Sequence, residues 1–523
     1  MNSPLLGAVI VEALAACGVS DVVLAPGSRN APLSLALHAA DGAGKIRLHV
    51  RVDERVAGFT ALGLAKGSGR AVAVVTTSGT AVANLAPAVM EARASGVPLV
   101  VVTADRPAEA VGTGANQTTD QVGVFGPSVL GLVRVSAASG TVQAWTAAVQ
   151  RAHVLASGLR TRRPGPVHLN AEFPMPLVGP VPTVPVRVAE VAESVGASVT
   201  ELDDRATIVL VGDATPAGGT EARAAAELAG APLFAEPSSN ARTGPNAVAR
   251  YRLLLDSPVA DRIERVLCFG HPTLSRAVTR LLSRDDLELV VVTDRADWTD
   301  LGSRAAVIAD RVLITGQPEG WLDDWLAADA ALGTPDRKEL DGPAVAAAVV
   351  ASVAAGDNLF LGSSQSIRDA DLAPIASGRA ATWANRGLSG IDGTVATATG
   401  VALATGRPTT VLLGDLTLQH DLGALVAPTL EPVADLRVVV ADDDGGAIFH
   451  TLEQGAAEYA DAFERVFGTP QGTDLAAVGA ALGWDTTTVT TPEELAAALA
   501  GPVTGRQLVV ARISRFGRRQ PGV

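Results

Sequence analysis

Two acidic clusters follow two apolar runs in residues 410–449. The run 411–413 stops at Gly414-Asp415, and the run 438–440 stops at residues 442–446, three aspartates and two glycines. Short apolar runs separated by a helix-like segment predict a βαβ unit with buried parallel strands, which end at the same edge of the sheet. Carboxylates bind Mg²⁺, which takes its other ligands from water and phosphate, and glycine lets the backbone approach a diphosphate. The stretch therefore predicts a metal–diphosphate site.

An alternative interpretation gives these acids local roles. Asp415 and residues 442–444 have the residue types that cap helices and form turns after strands. The matched position of the two clusters, each at the end of an apolar run, favours the metal site over this alternative.

The composition narrows the class of protein. The chain has 523 residues, 48% apolar and 18% charged, with a net charge of −14 and no basic run. This charge argues against nucleic acid or an anionic membrane as the main partner. Cys17 and Cys268, the only cysteines, give no disulfide framework. With no signal-peptide pattern and no membrane-spanning run, we expect a cytoplasmic protein.

The order of apolar runs predicts three doubly wound α/β domains. Short strands alternate with helical patterns in residues 1–180, the first domain. Residues 181–340 begin with a Pro/Val-rich linker and continue as a second α/β segment, the central domain, without a GxGxxG fingerprint. Residues 341–523, after a loop at 333–336, form the last domain, and its arginine-rich tail, 515–519, is expected to be solvated or disordered.

Polar stretches follow several predicted strands. In the first domain they are PGSRN at 26–30, RVDERVAGF at 51–59, TTSGTAVAN at 76–84, TADRP at 103–107 and GANQ at 114–117. In the last domain they are the stretches 362–368 and 384–393. Such loops suit an oxygen-rich small molecule. The alternatives are helix capping with surface charge for the stretches in 76–84 and 103–117, a first-turn acid that favours the helix dipole for 51–59, and ordinary helix-end charges for the arginines of the last domain.

In this order, the stretches resemble the family of 2-succinyl-5-enolpyruvyl-6-hydroxy-3-cyclohexene-1-carboxylate (SEPHCHC) synthases, thiamine-diphosphate (ThDP) enzymes of menaquinone biosynthesis. Gly414-Asp415 and Asp442-Asp443 likewise resemble the metal motif of ThDP enzymes. The family usually has Asn where this chain has Asp443, and an aspartate there adds negative charge beside the diphosphate. The resemblance implies pyrimidine-binding, central Rossmann-like and diphosphate-binding domains, in that order.

The resemblance also implies a role for each candidate residue. Glu54 is the expected general acid/base, which hydrogen-bonds N1′ of the aminopyrimidine and promotes loss of the C2 proton of ThDP. Mg²⁺, or Mn²⁺, is expected on Asp415, Asp443 and Gly445. Cofactor contacts are expected from Gly414, Asp415, Leu416, Thr417, Ser389, Ile391, Ile448 and Phe449, with Ile391 as the wedge that keeps ThDP bent. Substrate contacts are expected from Ser28, Arg29, Arg106, Asn116, Gln117, Arg276, Ser364, Arg368 and Arg386.

The implied activity is that of a transferase. It decarboxylates 2-oxoglutarate and adds the resulting succinyl-semialdehyde carbanion equivalent to isochorismate in a 1,4-addition, which gives SEPHCHC. Arginine forks suit the carboxylates of both substrates. The family also implies a homo-oligomer, a dimer at minimum and a tetramer by analogy, with the site at a subunit interface. The alternatives are another ThDP-dependent 2-oxoacid carboligase or decarboxylase, and a non-catalytic diphosphate-binding regulator on the same fold.

Overall fold

The fold is taken from a computed structural model that describes residues 3–196, 198–314, 316–333, 339–375 and 380–514. The predicted boundary loop at 333–336 lies mostly outside these residues, and the predicted solvated tail, 515–519, lies wholly outside them. The chain divides into two compact units. Unit 1 comprises Met1–Ser194, Asp392–Gly406 and Asp421–Ala434, and unit 2 comprises Val195–Ile391, Arg407–His420 and Asp435–Val523.

The strands of the described chain, in sequence order, are β1 Asp21–Leu24, β2 Arg47–Val50, β3 Val72–Thr76, β4 Leu99–Asp105, β5 Leu132–Ser136, β6 Pro166–Glu172, β7 Val199–Leu202, β8 Thr207–Val211, β9 Leu233–Ala235, β10 Arg265–Phe269, β11 Glu288–Val292, β12 Ala305–Ala309, β13 Arg311–Ile314, β14 Asn358–Leu361, β15 Ala381–Ala384, β16 Thr409–Gly414, β17 Leu436–Asp442, β18 Asp485–Val489 and β19 Arg506–Arg512. Every pair of neighbouring strands is parallel.

The α-helices of the described chain are α1 Ser3–Ala16, α2 Ala31–Gly42, α3 Glu54–Ser68, α4 Thr80–Ala83, α5 Ala86–Ser95, α6 Val142–Ser157, α7 Pro216–Ala229, α8 Tyr251–Leu254, α9 Arg276–Leu282, α10 Trp321–Ala331, α11 Gly342–Ser352, α12 Gln365–Ala370, α13 Thr394–Thr405, α14 Asp415–His420, α15 Ala460–Phe463, α16 Leu475–Ala481 and α17 Pro492–Leu499. No described helix has both the length and the apolarity needed to cross a bilayer.

Three large parallel sheets confirm the predicted doubly wound α/β class. Unit 1 holds a six-stranded sheet in the order β2-β1-β3-β4-β6-β5. Unit 2 holds a five-stranded sheet, β12-β11-β10-β8-β9, and a six-stranded sheet, β15-β14-β16-β17-β19-β18. Apolar clusters cover these sheets, as expected for parallel strands that are buried on both faces. The division at residues 180/181 and 340/341 stays a prediction.

Helices α3 and α13 approach each other closely in unit 1 because each carries a glycine at the crossing. A Cβ atom at Gly63 would lie 2.0 Å from the carbonyl oxygen of Thr397, and a Cβ atom at Gly400 would lie 2.2 Å from the carbonyl oxygen of Thr60. Any side chain at either position would therefore push the two backbones apart. Since α3 begins at Glu54, this crossing fixes the helix that carries the predicted acid/base.

We expect Gly63→Ala to destabilise the protein by about 1–3 kcal/mol, because overpacking a rigid contact costs this much. Thermal denaturation checks the result. Gly42→Ala is the matched control: it makes the same change at the end of α2, where no described atom lies within 4 Å of the added Cβ. An equal midpoint for the two variants would contradict the proposed close contact.

Candidate active site

The acidic edge predicted from the sequence lies in unit 2. Strands β16 and β17 are parallel neighbours, with Gly414 paired to Ala441, so the acids that follow them lie at one edge. Asp415 is the first residue of α14. The backbone N–H groups of Leu416 and Gly445 lie near its carboxylate and favour its charged form, so the loop after β17 approaches the end of β16.

The environment of Asp415 suits a cation. Its side chain is buried, and no described donor reaches its Oδ2 atom. Burial, together with the charges of Asp443 and Asp442, raises the pKa of Asp415 to about 7. A divalent cation would offset both the burial and the repulsion. The residues present therefore fit the predicted metal.

No group of three or more His, Cys, Asp or Glu side chains in the described residues is arranged to hold a metal ion. The predicted ligand set needs only the carboxylates of Asp415 and Asp443 and the backbone carbonyl of Gly445. Mg²⁺ often binds through one or two carboxylates and takes its other ligands from water and phosphate. The metal assignment stays a prediction.

Two of the clustered acids have local roles. Asp442 accepts a hydrogen bond from the backbone N–H of Asp444 at 3.2 Å and pairs with Arg512 at 3.5 Å. Asp444 Oδ1 accepts from the backbone N–H groups of Gln471 and Gly472. The turn interpretation therefore describes Asp442 and Asp444, and the binding of a cation by Asp415 and Asp443 stays a prediction.

The other predicted cofactor residues of unit 2 lie in two further segments. Leu416 and Thr417 follow Asp415 in α14. Ser389, with a φ of 61°, and the half-buried Ile391 lie in the loop after β15. Ile448 and Phe449 belong to a 3₁₀ helix, Ala447–Thr451, after β17. Each of these segments follows the carboxyl end of a strand in one sheet, where open α/β sheets bind ligands.

The predicted substrate arginines Arg368 and Arg386 lie near each other in unit 2. Burial, followed by the positive charges of Arg386 and Arg252, lowers the pKa of Arg368. Arg368 donates to the carbonyl oxygen of Ser364, another predicted contact, at 2.6 Å. Ser363 Oγ donates to the carbonyl oxygen of Asn385 at 3.0 Å and so joins the loops that carry the two arginines.

Sequence reasoning missed two partners of Arg386. The buried guanidinium of Arg386 donates to Thr273 Oγ1 at 3.1 Å. Glu236 follows β9, and its Oε1 accepts from the backbone N–H of Leu274 at 2.9 Å. Burial raises the pKa of Glu236 to about 8, and the charge of Arg386 opposes this rise. Neither residue lies in a motif, so only their positions in the fold reveal them.

The buried Glu236 makes stability depend on pH. The pKa of Glu236 is about 8 in the folded protein and about 4.5 for an ordinary glutamate. The stability that the neutral side chain provides is therefore complete below pH 4.5 and is lost as the pH rises through 8. This loss amounts to roughly 3–5 kcal/mol. We expect Glu236→Gln to unfold at a higher temperature than the unmodified protein at about pH 8.5, and to lose this advantage at about pH 5.

Thermal midpoints at the two pH values check this expectation. Glu201→Gln makes the same change at an exposed glutamate of unit 2 and should behave like the unmodified protein at both. If Glu236→Gln shows the same dependence on pH as this control, Glu236 does not limit stability.

The structure places Arg276, the third predicted substrate arginine of unit 2, on the surface. It begins α9 and pairs with Glu453 at 2.9 Å, and both side chains are more than 60% exposed. Arg276 is connected to Arg386 only indirectly, through the chain that leads from it to Thr273, which accepts a hydrogen bond from Arg386. A substrate role for Arg276 stays a prediction.

Glu54, in unit 1, does not cap its own helix. The N-cap of α3 is Asp53, whose Oδ1 accepts from the backbone N–H groups of Arg55 and Val56 at 2.8 and 3.2 Å. The carboxylate of Glu54 instead accepts from Asn84 Nδ2 at 3.5 Å. Asp53 therefore caps the helix, and Glu54 is the acidic residue of its first turn, where it also suits the helix dipole. The catalytic role of Glu54 stays a prediction.

Glu54 lines a cavity of about 520 Å³ in unit 1. The segment after α14 supplies one wall, with Gly423, Val426 and Pro428. Two contacts anchor this wall: Asp421 Oδ2 accepts from the backbone N–H of Ala396 at 3.0 Å, and Arg51 pairs with Glu431 at 3.5 Å.

The other predicted residues of unit 1 surround a polar turn at residues 77–79. The backbone N–H of Arg29 donates to Thr77 Oγ1 at 3.3 Å, and Arg106 Nη1 donates to Ser78 Oγ and to the carbonyl oxygen of Gln117. Burial and the charge of Arg106 lower the pKa of Arg29. Ser28 and Asn116 are exposed.

Comparison with known proteins finds two family models that match the chain. The family model "Thiamine pyrophosphate enzyme, N-terminal TPP binding domain" matches residues 5–124, and "Thiamine pyrophosphate enzyme, C-terminal TPP binding domain" matches residues 370–512. These ranges contain Glu54 and the acidic edge, respectively. The fold and the two matched domains thus define a thiamine-diphosphate-dependent enzyme.

Full-length relatives identify the family. The chain is 49% identical to the 2-succinyl-5-enolpyruvyl-6-hydroxy-3-cyclohexene-1-carboxylate synthase of Kineococcus radiotolerans, with 98% of each chain covered. It is 47% identical to the synthases of the same name from Nocardioides sp. and Paenarthrobacter aurescens, over 98% of this chain and 95% and 94% of theirs. The chain belongs to the SEPHCHC synthase family.

Proposed function

We propose that the protein catalyses the decarboxylation of 2-oxoglutarate and the 1,4-addition of the resulting succinyl-semialdehyde carbanion equivalent to isochorismate, which gives SEPHCHC in menaquinone biosynthesis. The supporting observation is that each unit holds two arginines whose positive charges repel each other, Arg29 with Arg106 and Arg368 with Arg386. Such pairs favour carboxylate ligands, because bidentate carboxylates relieve the repulsion. Both proposed substrates carry several carboxylates.

Bound ThDP would supply the electron sink that accepts the electron pair released with CO₂. We propose that Asp415, Asp443 and Gly445 hold the Mg²⁺, or Mn²⁺, that binds its diphosphate, and that Ile391 supports the bent cofactor. Glu54 accepts and returns a proton at its carboxylate, and the hydrogen bond from Asn84 orients that group. Arg106, Arg368 and Arg386 orient the substrate carboxylates.

We also propose that the protein is a homo-oligomer, at least a dimer and by family analogy a tetramer, in which Glu54 of one chain and Asp415 of another serve one cofactor. Exposed apolar side chains that line the cavity with Glu54 support a partner on this face of unit 1: Val52 is 77% and Val426 54% exposed. Exposed apolar residues that cluster are typical of interfaces. Two free cysteines fit the reducing cytoplasm, the proposed location.

Ultraviolet monitoring of isochorismate in the presence of protein, 2-oxoglutarate, ThDP and Mg²⁺ tests the function. Loss of isochorismate that stops when any one component is omitted is the expected result. Decarboxylation of 2-oxoglutarate while isochorismate survives would favour another ThDP carboligase or decarboxylase. Failure to bind ThDP would favour a non-catalytic regulator on the same fold.

A further inference from the structure

Gln121 is fully buried in unit 1, and both ends of its amide are hydrogen-bonded. Its Nε2 group donates to the carbonyl oxygen of Ala104 at 3.1 Å and to Asn170 Oδ1 at 2.8 Å, and its Oε1 accepts from the backbone N–H of Gly79 at 3.4 Å. One side chain therefore joins β4, β6 and the turn at residues 77–79. An amide in this position holds separate segments in one arrangement, since breaking a buried hydrogen bond leaves polar groups unpaired.

The partners of Gln121 fix the direction of its hydrogen bonds. Thr103 Oγ1 donates to Asn170 Oδ1 at 2.8 Å, and Asn170 Nδ2 donates to Asp105 Oδ2 at 2.8 Å. Because Asn170 Oδ1 is thereby an acceptor, the group of Gln121 that faces it is the donor. The network continues to His168 Nε2, which lies 2.7 Å from Thr103 Oγ1, and neither amide can rotate by 180° without the loss of hydrogen bonds.

Both ends of this network reach predicted substrate groups. At one end, Asp105 Oδ1 accepts from the backbone N–H of Arg106 at 2.7 Å. At the other end, Gly79 adjoins Ser78, whose Oγ accepts from the Arg106 guanidinium and donates to the carbonyl oxygen of Gln117 at 3.1 Å. The Gln117 side chain returns a hydrogen bond to the carbonyl oxygen of Ser78 at 2.9 Å.

We propose that Gln121 is a positioning residue that presets Arg106 and Gln117 for a substrate carboxylate. Gln121 is buried and acts by holding the turn at residues 77–79 against β4 and β6. A preset guanidinium binds a carboxylate more tightly because less freedom is lost on binding. The proposal rests on the proposed function, since it assumes that Arg106 meets substrate.

The test compares Gln121→Met, which keeps the size and removes the amide, with Gln150→Met. Gln150 is a control in the same unit: its half-buried amide donates to and accepts from the backbone of Ala189, outside the network. We expect Gln121→Met to raise the KM of one of the two substrates by about 10- to 100-fold. The kcat, the KM of the other substrate and the affinity for ThDP should change by less than about threefold, and Gln150→Met should change none of them.

A double-mutant cycle separates positioning from general stability. If Gln121 acts through Arg106, then Gln121→Met should have almost no further effect on KM in an Arg106→Gln background. Gln121→Asn, which keeps an amide but shortens the side chain by one methylene, gives a second variant if Gln121→Met folds poorly, and its KM should lie between those of the unmodified protein and Gln121→Met. An unchanged KM, or a parallel loss of kcat, ThDP affinity and thermal midpoint, would overturn the proposal.

Two measurements distinguish a failure of the positioning role proposed for Gln121 from a failure of the proposed function. The activity of the unmodified protein tests the function alone. Amide hydrogen exchange of residues 77–80 and 106–121 tests the positioning without turnover: faster exchange in Gln121→Met than in Gln150→Met is expected, and equal exchange would overturn the proposal.

Discussion

Replacing Glu54 with glutamine is expected to lower kcat by about 10²- to 10⁴-fold, the usual contribution of a general acid/base. Glutamine keeps the size of the side chain and its acceptor for Asn84, but it cannot take up or release a proton. The fold and the affinity for ThDP and Mg²⁺ should therefore persist. Steady-state kinetics measures the loss, and the rate of deuterium exchange at C2 of bound ThDP shows whether the first proton transfer is affected.

The control is Glu190→Gln, which makes the same change at an exposed glutamate of unit 1 and should leave turnover unchanged. Near-normal activity of Glu54→Gln would remove Glu54 from the proposed mechanism. Lost activity with lost ThDP binding would instead assign Glu54 to cofactor affinity rather than proton transfer.

Asp415→Asn should have two opposite effects. Without metal, the variant should unfold at a higher temperature than the unmodified protein, because a buried negative charge beside Asp443 and Asp442 is removed. With Mg²⁺ and ThDP, the order should reverse, since the variant lacks a proposed ligand. We expect the affinity for the pair to fall by at least about 100-fold, because changes to groups that only support metal ligands already cost 10- to 100-fold.

Thermal midpoints with and without Mg²⁺ and ThDP, and a ThDP titration, measure both effects. Asp294→Asn is the control, at an exposed aspartate of unit 2. Its thermal midpoint should rise on cofactor binding by as much as that of the unmodified protein. Asp443→Asn should have the opposite effect on cofactor affinity. It introduces the residue that is usual in the family and removes a negative charge beside the diphosphate, so we expect tighter binding of ThDP. Retention of the full shift by Asp415→Asn would contradict the proposed metal site.

The sequence predicted best those elements whose signal is local and strong. Strands β16 and β17 were predictable because their apolar runs are buried on both faces and each stops at glycine or aspartate. The edge strands β5 and β18 were missed. Three of the five residues of β18 are exposed, and β5 carries Arg134 between apolar neighbours, so neither reads as a buried strand.

The same reasoning explains which site residues could be found. Glu54 and Asp415 lie in motifs, but residue type alone could not separate the turn-forming Asp442 and Asp444 from Asp443. The contacts of Glu236 with Leu274, of Asn84 with Glu54 and of Gln121 with Asn170 join residues that are far apart in sequence. Such pairs are set by tertiary packing, which a single sequence does not display.

The close crossing of α3 and α13 also has a consequence for synthesis of the chain. The ribosome must add the residues between Ser68 and Thr394 before α13 can cover α3, which takes roughly tens of seconds at typical rates of translation. Until then, the glycine-bearing face of α3 has no native partner, and a contact between such distant segments is slow to form. The first half of the chain, made alone, should therefore remain incompletely folded, so excision of the Glu54 half as a free-standing fragment is expected to fail.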